Sequence, residues 1–135
     1  MMKVLSIKEP FATLIKNKIK CIETRSWKTN YRGELYIHAS LTPMNKYNDR
    51  LELMNIIKDL DMNYGYIICK CRLIDCIYMD DDFINKIQNN HQEYICGEYS
   101  IGRYAWILED IEEILPIQAK GKLGIWNYDN ISNNN

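Results

Sequence analysis

The chain has 135 residues, of which 47% are hydrophobic and 26% charged, with a formal net charge of −1. This is the size and composition of one soluble globular domain, and no apolar run reaches the roughly 20 residues that a membrane-spanning helix needs. Five cysteines are an odd number, which argues against a closed disulfide framework, so we expect a cytoplasmic protein. The lack of a long apolar run predicts that it has no membrane segment.

The N-terminal half is predicted to alternate strands with short helices. Residues 2–7 alternate as a first strand, and Pro10 suits the first turn of a helix whose apolar side chains follow at helical spacing. Residues 21–27 return to an extended pattern, and Gly33 opens a third strand that alternates through residue 40. Apolar spacing predicts a second helix over residues 45–60.

The C-terminal half begins with the longest strand signal, residues 65–78, in which Cys69 and Cys71 face a core. No His or Cys stands nearby at zinc spacing, so we expect no metal, and no nucleotide fingerprint indicates a cofactor. A short helix is predicted over residues 80–87 and a loop over residues 88–103. Strands are predicted over residues 104–108 and 119–128, and between them the chain either stays extended or bends over residues 111–117. Residues 130–135 are expected to be a disordered tail.

Five or six strands with two or three short helices predict an α+β domain built on a small mixed β-barrel.

The densest group of chemically useful side chains lies just before the third strand. Lys20, Glu23 and Arg25 stand at i, i+3 and i+5, and Trp27 follows them. Two cations, a carboxylate and an aromatic plane can grip a phosphate, read a base edge and stack on a base.

Each of these residues has a structural alternative. Lys20 and Glu23 are either a proton-transfer pair or a structural ion pair that fixes Arg25. Arg25 is either a phosphate or carboxylate clamp, or a buried bridge to Glu23. Trp27 either stacks on a base or packs against the core.

Four further residues are candidates for ligand contacts. Ser26 and Arg32 can supply contacts, although Arg32 can equally cap a turn before Gly33. His38 is either a hydrogen-bond partner in a cleft or a solvated residue. Tyr104 shares a strand face with Trp106, and its hydroxyl can reach the cleft, whereas Trp106 itself and Trp126 are expected in the core.

Charge is distributed unevenly along the chain. Residues 1–32 hold eight Lys/Arg against two Glu, whereas residues 75–113 hold ten acidic residues against two basic ones. A basic half can hold a polyanion even on a nearly neutral chain. The alternative is two solvated patches of opposite sign.

These motifs resemble the ASCH (activating signal cointegrator homology) family, a branch of the PUA-like superfold. The resemblance runs from about residue 3 to residue 128 and rests on segments that occur in this order: Leu5-Ser6-Ile7, Glu9-Pro10-Phe11-Ala12, Lys20-x-x-Glu23-x-Arg25-Ser26-Trp27, Arg32-Gly33, Ile37-His38-Ala39, Gly102-Arg103-Tyr104-Ala105-Trp106, Lys120-Gly121 and Trp126. The family pattern is Gly-x-Lys-x-x-Glu-x-Arg, and Lys18 stands at the glycine position of this chain.

The resemblance implies one ASCH domain over residues 1–129, with a cleft that the motif lines. Members are generally proposed to bind RNA, and the eukaryotic coactivator branch to bind DNA. One bacterial branch is similar to N4-acetylcytidine amidohydrolases, in which a Thr nucleophile occupies the position of Glu23, and some members are reported to cleave RNA. Thr24 is adjacent, but strand alternation turns it to the other face, and Cys21 is expected to point into the core.

The sequence therefore predicts a monomer that binds RNA or a modified nucleoside, with DNA also possible. Lys20 and Glu23 are its candidate catalytic residues if it turns a ligand over. The alternatives are a hydrolase acting on nucleic acid, of the amidohydrolase or ribonuclease type, and a module whose basic face binds an acidic protein.

Overall fold

Six strands and four short helices make up residues 1–47 and 49–129, the part of the chain that the computed structural model describes. The expected disordered tail lies outside these residues. In chain order the elements are β1 (Met2–Ile7), α1 (Phe11–Lys16), β2 (Ile22–Arg25), β3 (Gly33–Ala39), α2 (Leu51–Ile57), β4 (Tyr66–Tyr78), α3 (Asp81–Ile87), α4 (His91–Ile95), β5 (Tyr104–Gln118) and β6 (Ile125–Tyr128).

All of these strands join in one curled sheet, in the order β2-β5-β4-β3-β1-β6. β1 and β3 are parallel, with Ser6 opposite His38, and the other neighbouring pairs are antiparallel. Because β2 and β6 are the two edges in the described part of the chain, the sheet is a half-barrel. This confirms the predicted mixed α+β architecture, with four short helices in place of two or three.

The core lies on the inner face of the sheet and under α1. Alternation along β4 buries Ile67, Cys69 and Cys71 while Arg72 is exposed, as the sequence pattern predicts. The predicted core positions of Trp106 and Trp126 are confirmed, at 0% and 6% exposure.

Three predicted boundaries were wrong. The predicted 88–103 loop contains α4, whose first turn is capped by the side chain of Asn90 accepting from the Glu93 amide. The second helix starts only at Leu51, and β6 only at Ile125. Residues 119–124 instead form a loop that holds Gly124 at φ +65°. We call this segment, residues 119–124, the Lys-Gly-Lys loop.

Candidate functional site

A cleft of about 710 Å³ opens beside β1 and β2, between the Lys-Gly-Lys loop and residues 40–47. The parallel pair β1–β3 and residues 23–25 of β2 supply its polar floor, and the two loops supply its rim. The predicted site residues that line it are Lys20, Glu23, Arg25, Ser26, Trp27 and His38.

A tight helix end delivers the motif to this cleft. The Lys18 amide donates to the Ile15 carbonyl at 2.9 Å and the Ile19 amide to the Leu14 carbonyl at 3.0 Å, which is the Schellman pattern that ends a helix. That pattern requires a left-handed residue, and Lys18 has φ +61°. The reversal directs the chain from α1 into Lys20 and β2.

Lys20 is buried on the cleft floor. Its side chain is 1% exposed, and its Nζ lies 5.5 Å from the centre of the Phe11 ring and 6.0 Å from that of Tyr99. Within residues 1–47 and 49–129 it forms no ion pair, so the predicted Lys20–Glu23 bridge is not made. Burial lowers the pKa of Lys20, and the charges of Glu23 and Glu93 oppose that shift only in part.

Glu23 pairs with Arg25 instead, as the structural alternative predicts. Arg25 Nε lies 3.1 Å from Glu23 Oε2, but its N–H is not directed at an acceptor, so the contact is electrostatic. Arg25 Nη2 donates to the Ser6 carbonyl at 2.7 Å. The guanidinium is therefore fixed against β1, and Arg25 lines the cleft.

Trp27 stands at the cleft wall with a partly open ring. It is 37% exposed, and it packs edge-to-face on Trp106 with ring centres 4.7 Å apart. Trp106 Nε1 also donates to the Trp27 carbonyl at 3.4 Å. The structure shows the packing alternative, in which one edge of the ring lies against Trp106. Stacking of a base on the exposed part of the ring stays a prediction.

His38 is neither solvated nor free. It is 1% exposed, its Nδ1 lies 2.9 Å from Ser6 Oγ, and its Nε2 lies 2.8 Å from the Ala119 carbonyl oxygen. Trp126 Nε1 donates to the same Ser6 hydroxyl at 3.0 Å. Burial lowers the pKa of His38, although the Ala119 contact opposes the shift.

Two predicted ligand-binding residues lie away from the cleft. Arg32 donates to the carbonyls of Thr29 and Tyr31 at 3.0 and 2.9 Å, so the turn-capping alternative is the one that the structure shows. Tyr104 packs edge-to-face on Tyr78 with ring centres 5.6 Å apart. The face that it was expected to share with Trp106 does not open on the cleft.

Cys21 was predicted to point into the core, and this prediction was wrong. It is exposed, and its amide and thiol donate to Glu93 Oε1 at 2.8 and 3.1 Å. Burial of the thiol and the Glu93 carboxylate raise its pKa to about 11. Thr24 borders the cleft, but its hydroxyl accepts from the Glu98 amide at 3.3 Å.

Much of the positive charge of the cleft was not predicted from the sequence. Of the described residues, six cationic side chains line it: Lys8, Lys20, Arg25, Arg103, Lys120 and Lys122. Two carboxylates join them, Glu23 and Glu98, and each is already paired with an arginine. The signal available in the sequence was the pair of lysines around Gly121, which a glycine-containing loop can present together.

No helix in the described ranges is long and apolar enough to span a membrane, and these ranges contain no group of three His, Cys, Asp or Glu side chains that could hold a metal ion. A family model described as "ASCH domain" matches residues 5–118 of the 135. The chain belongs to the ASCH family. An ASCH domain implies a nucleic-acid-related function in general. A comparison with curated proteins gives no significant match.

Proposed function

We propose that this ASCH domain binds single-stranded RNA, with the sugar-phosphate backbone on the rim of the cleft and one base inserted against Trp27. The observation that carries the proposal is the excess of cations in the cleft, six against two carboxylates that are already paired. A cleft of one sign concentrates ligands of the opposite sign, and phosphates are the anions that nucleic acids present along a chain.

The rim fits a backbone better than an isolated base. Lys120 and Lys122 lie on the Lys-Gly-Lys loop, and Lys8 follows the end of β1. Leu123, on the same loop, is 98% exposed and Leu41 on the opposite loop is 67% exposed. Two exposed leucines and a half-open Trp27 give apolar surfaces on which an unpaired base can lie.

The floor supplies polar groups for a base edge. Lys20 Nζ has no ion-pair partner in the described part of the chain, so it is a donor available to a carbonyl oxygen of the ligand. The same floor supports a modified nucleoside as the second candidate, since a neutral nucleoside needs the floor and Trp27 but not the rim lysines. DNA differs from RNA in lacking the 2′-hydroxyl and in carrying thymine in place of uracil.

The test is fluorescence anisotropy of a labelled single-stranded RNA at several salt concentrations. Replacing Lys120 and Lys122 together by Gln should weaken binding and lower the slope of log K against log salt by about 0.7 for each phosphate that is no longer neutralised. The matched control replaces Lys58 and Lys86, two exposed lysines outside the cleft, and should leave the slope unchanged.

Trp27→Ala should lose roughly 1–3 kcal/mol of binding free energy, and Trp27→Phe should recover part of it. If the lysine pair can be removed without changing the slope, the rim does not bind phosphate. A neutral nucleoside that binds the lysine variant as tightly as the parent protein would favour the nucleoside candidate. The same titration with single-stranded DNA decides between RNA and DNA.

A further inference from the structure

We propose that Ser6 is a nucleophile activated by His38, able to take an acyl group from a carboxylic ester bound in the cleft. Both side chains line the cleft, and Ser6 Oγ lies 2.9 Å from His38 Nδ1. This is the distance at which a neutral imidazole removes a proton from a hydroxyl as it attacks. The reaction does not depend on nucleic-acid binding.

The hydrogen positions of this pair are fixed by groups that can act in only one way. The Ala119 carbonyl oxygen can only accept, so His38 Nε2, 2.8 Å away, carries a proton. Burial lowers the pKa of His38, so its ring is neutral near pH 7 and Nδ1 is an acceptor. The indole N–H of Trp126 can only donate to Ser6 Oγ. The Ser6 hydroxyl must therefore point its proton at His38.

The Ala119 carbonyl has the role that the aspartate carboxylate has in a Ser-His-Asp triad. The Ala119 oxygen holds the imidazole in one tautomer and one orientation, and it can stabilise the imidazolium that forms when the ring accepts a proton. Arg25 Nη2 donates to the Ser6 carbonyl at 2.7 Å, so the guanidinium holds the backbone that carries the nucleophile.

The backbone of Gly121 lies close to the Ser6–His38 pair. A Cβ at this position would lie 2.8 Å from Ser6 Oγ and 2.9 Å from His38 Cε1. Any other residue would therefore fill the space next to the nucleophile, where a reacting carbonyl carbon has to sit. Gly121 does not occupy the left-handed region, so space and not backbone conformation requires a glycine there.

The reaction balances with water as the second substrate. Ser6 Oγ forms a bond to the carbonyl carbon while its proton moves to His38 Nδ1. The carbon–oxygen bond to the alcohol then breaks, and the alkoxide takes the proton from His38. Water attacks the acyl-Ser6, gives a proton to His38, and releases the carboxylic acid as Ser6 Oγ recovers the proton.

A fluorophosphonate probe followed by intact-mass and peptide mass spectrometry tests this assignment. The probe should form a single adduct on Ser6, with a bond from Oγ to phosphorus and loss of fluoride. Ser6→Ala should abolish the adduct and His38→Gln should slow it about 100-fold, since a positioned base contributes 10²–10⁴-fold. Ser100→Ala, which replaces an exposed serine outside the cleft, should label as the parent protein does.

Gly121→Ala gives a second test that leaves both reacting groups in place. Its methyl group should block labelling in the folded protein, and because that methyl would lie within 3 Å of Ser6 Oγ and His38 Cε1 it should also lower the melting temperature. The assignment is overturned if Ser6 acquires no adduct, or if a folded His38→Gln variant labels at the parent rate. Where His38→Gln does not fold, labelling of Gly121→Ala at the parent rate overturns it.

Discussion

Lys18→Gly should stabilise this protein, because Lys18 occupies a backbone conformation that favours glycine. It is the left-handed residue of the Schellman turn after α1, with φ +61°. Its side chain is exposed and forms no ion pair in the described part of the chain. The substitution therefore removes strain without breaking an ion pair.

The size of the effect follows from two opposing terms. A left-handed conformation costs a residue with a Cβ roughly 1–2 kcal/mol, and glycine avoids that cost. Glycine loses more chain entropy on folding, about 0.5–1 kcal/mol relative to Ala. The difference is a gain of about 0.5–1 kcal/mol. With an unfolding entropy of about 2.1 cal/mol/K per residue, a chain of this length should melt about 2–4 °C higher.

Thermal and urea unfolding of three proteins measures this gain. Lys18→Ala removes the same charge and side chain without relieving the strain, so it should be no more stable than the parent protein. Lys18→Gly should exceed both, and RNA binding should not change because Lys18 lies outside the cleft. A Lys18→Gly variant that melts no higher than Lys18→Ala would refute the strain argument.

Buried or hydrogen-bonded titratable groups give three more expected outcomes. The pKa of Lys20 is lowered from 10.5, so between its folded pKa and 10.5 the folded protein binds fewer protons than the unfolded chain. Relative to Lys20→Met, its unfolding free energy should therefore rise as pH increases towards 10.5 in urea titrations, and a constant difference would contradict the burial argument. The pKa of His38 is lowered from 6.5, so its contribution to the unfolding free energy is present above that pH and is lost as pH falls. His38→Gln should reduce the decrease of unfolding free energy at acid pH. The same decrease in both proteins would contradict a lowered pKa for His38. Iodoacetamide should modify Cys21 slowly at pH 8 because burial and the Glu93 carboxylate raise its pKa to about 11, and Glu93→Gln should accelerate the reaction. Equal rates by mass spectrometry would show that Glu93 does not control the thiol.

The strands could be predicted because their burial pattern is local. In β4 the alternation of apolar and charged residues specifies which face is buried, and no distant information is needed. α4 could not be predicted in this way. It has five residues, and it depends on the Asn90 cap and on Glu93, which is 4% exposed and accepts from Cys21 across 72 positions of sequence.

The Lys20-Glu23-Arg25 motif lines the cleft, but its spacing in the sequence did not decide which of its side chains pair. Lys20 precedes β2, whereas Glu23 and Arg25 lie two residues apart on the same strand face, where their side chains meet. The environment of Lys20 comes instead from Phe11 on α1 and from Tyr99 after α4. Tyr104 lies away from the cleft for a related reason. Alternation places Tyr104 and Trp106 on the same face of the strand, but it does not decide whether that face lines a cavity.

The half-barrel explains why the cleft joins residues from both ends of the chain. The parallel pairing of β1 with β3 sets Ser6 beside His38, and β6 then packs antiparallel on β1, which brings Trp126 to the other side of Ser6. The chain enters β6 through the Lys-Gly-Lys loop, so Lys120 and Lys122 are carried to the rim by the same pairing. In that loop the Ala119 carbonyl oxygen lies 2.8 Å from His38 Nε2 and Gly121 lies close to Ser6 and His38, so one segment both carries the rim lysines and contacts the Ser6–His38 pair. Changing the length of this loop should therefore alter RNA binding and Ser6 labelling together, whereas neutralising its lysines should alter binding alone.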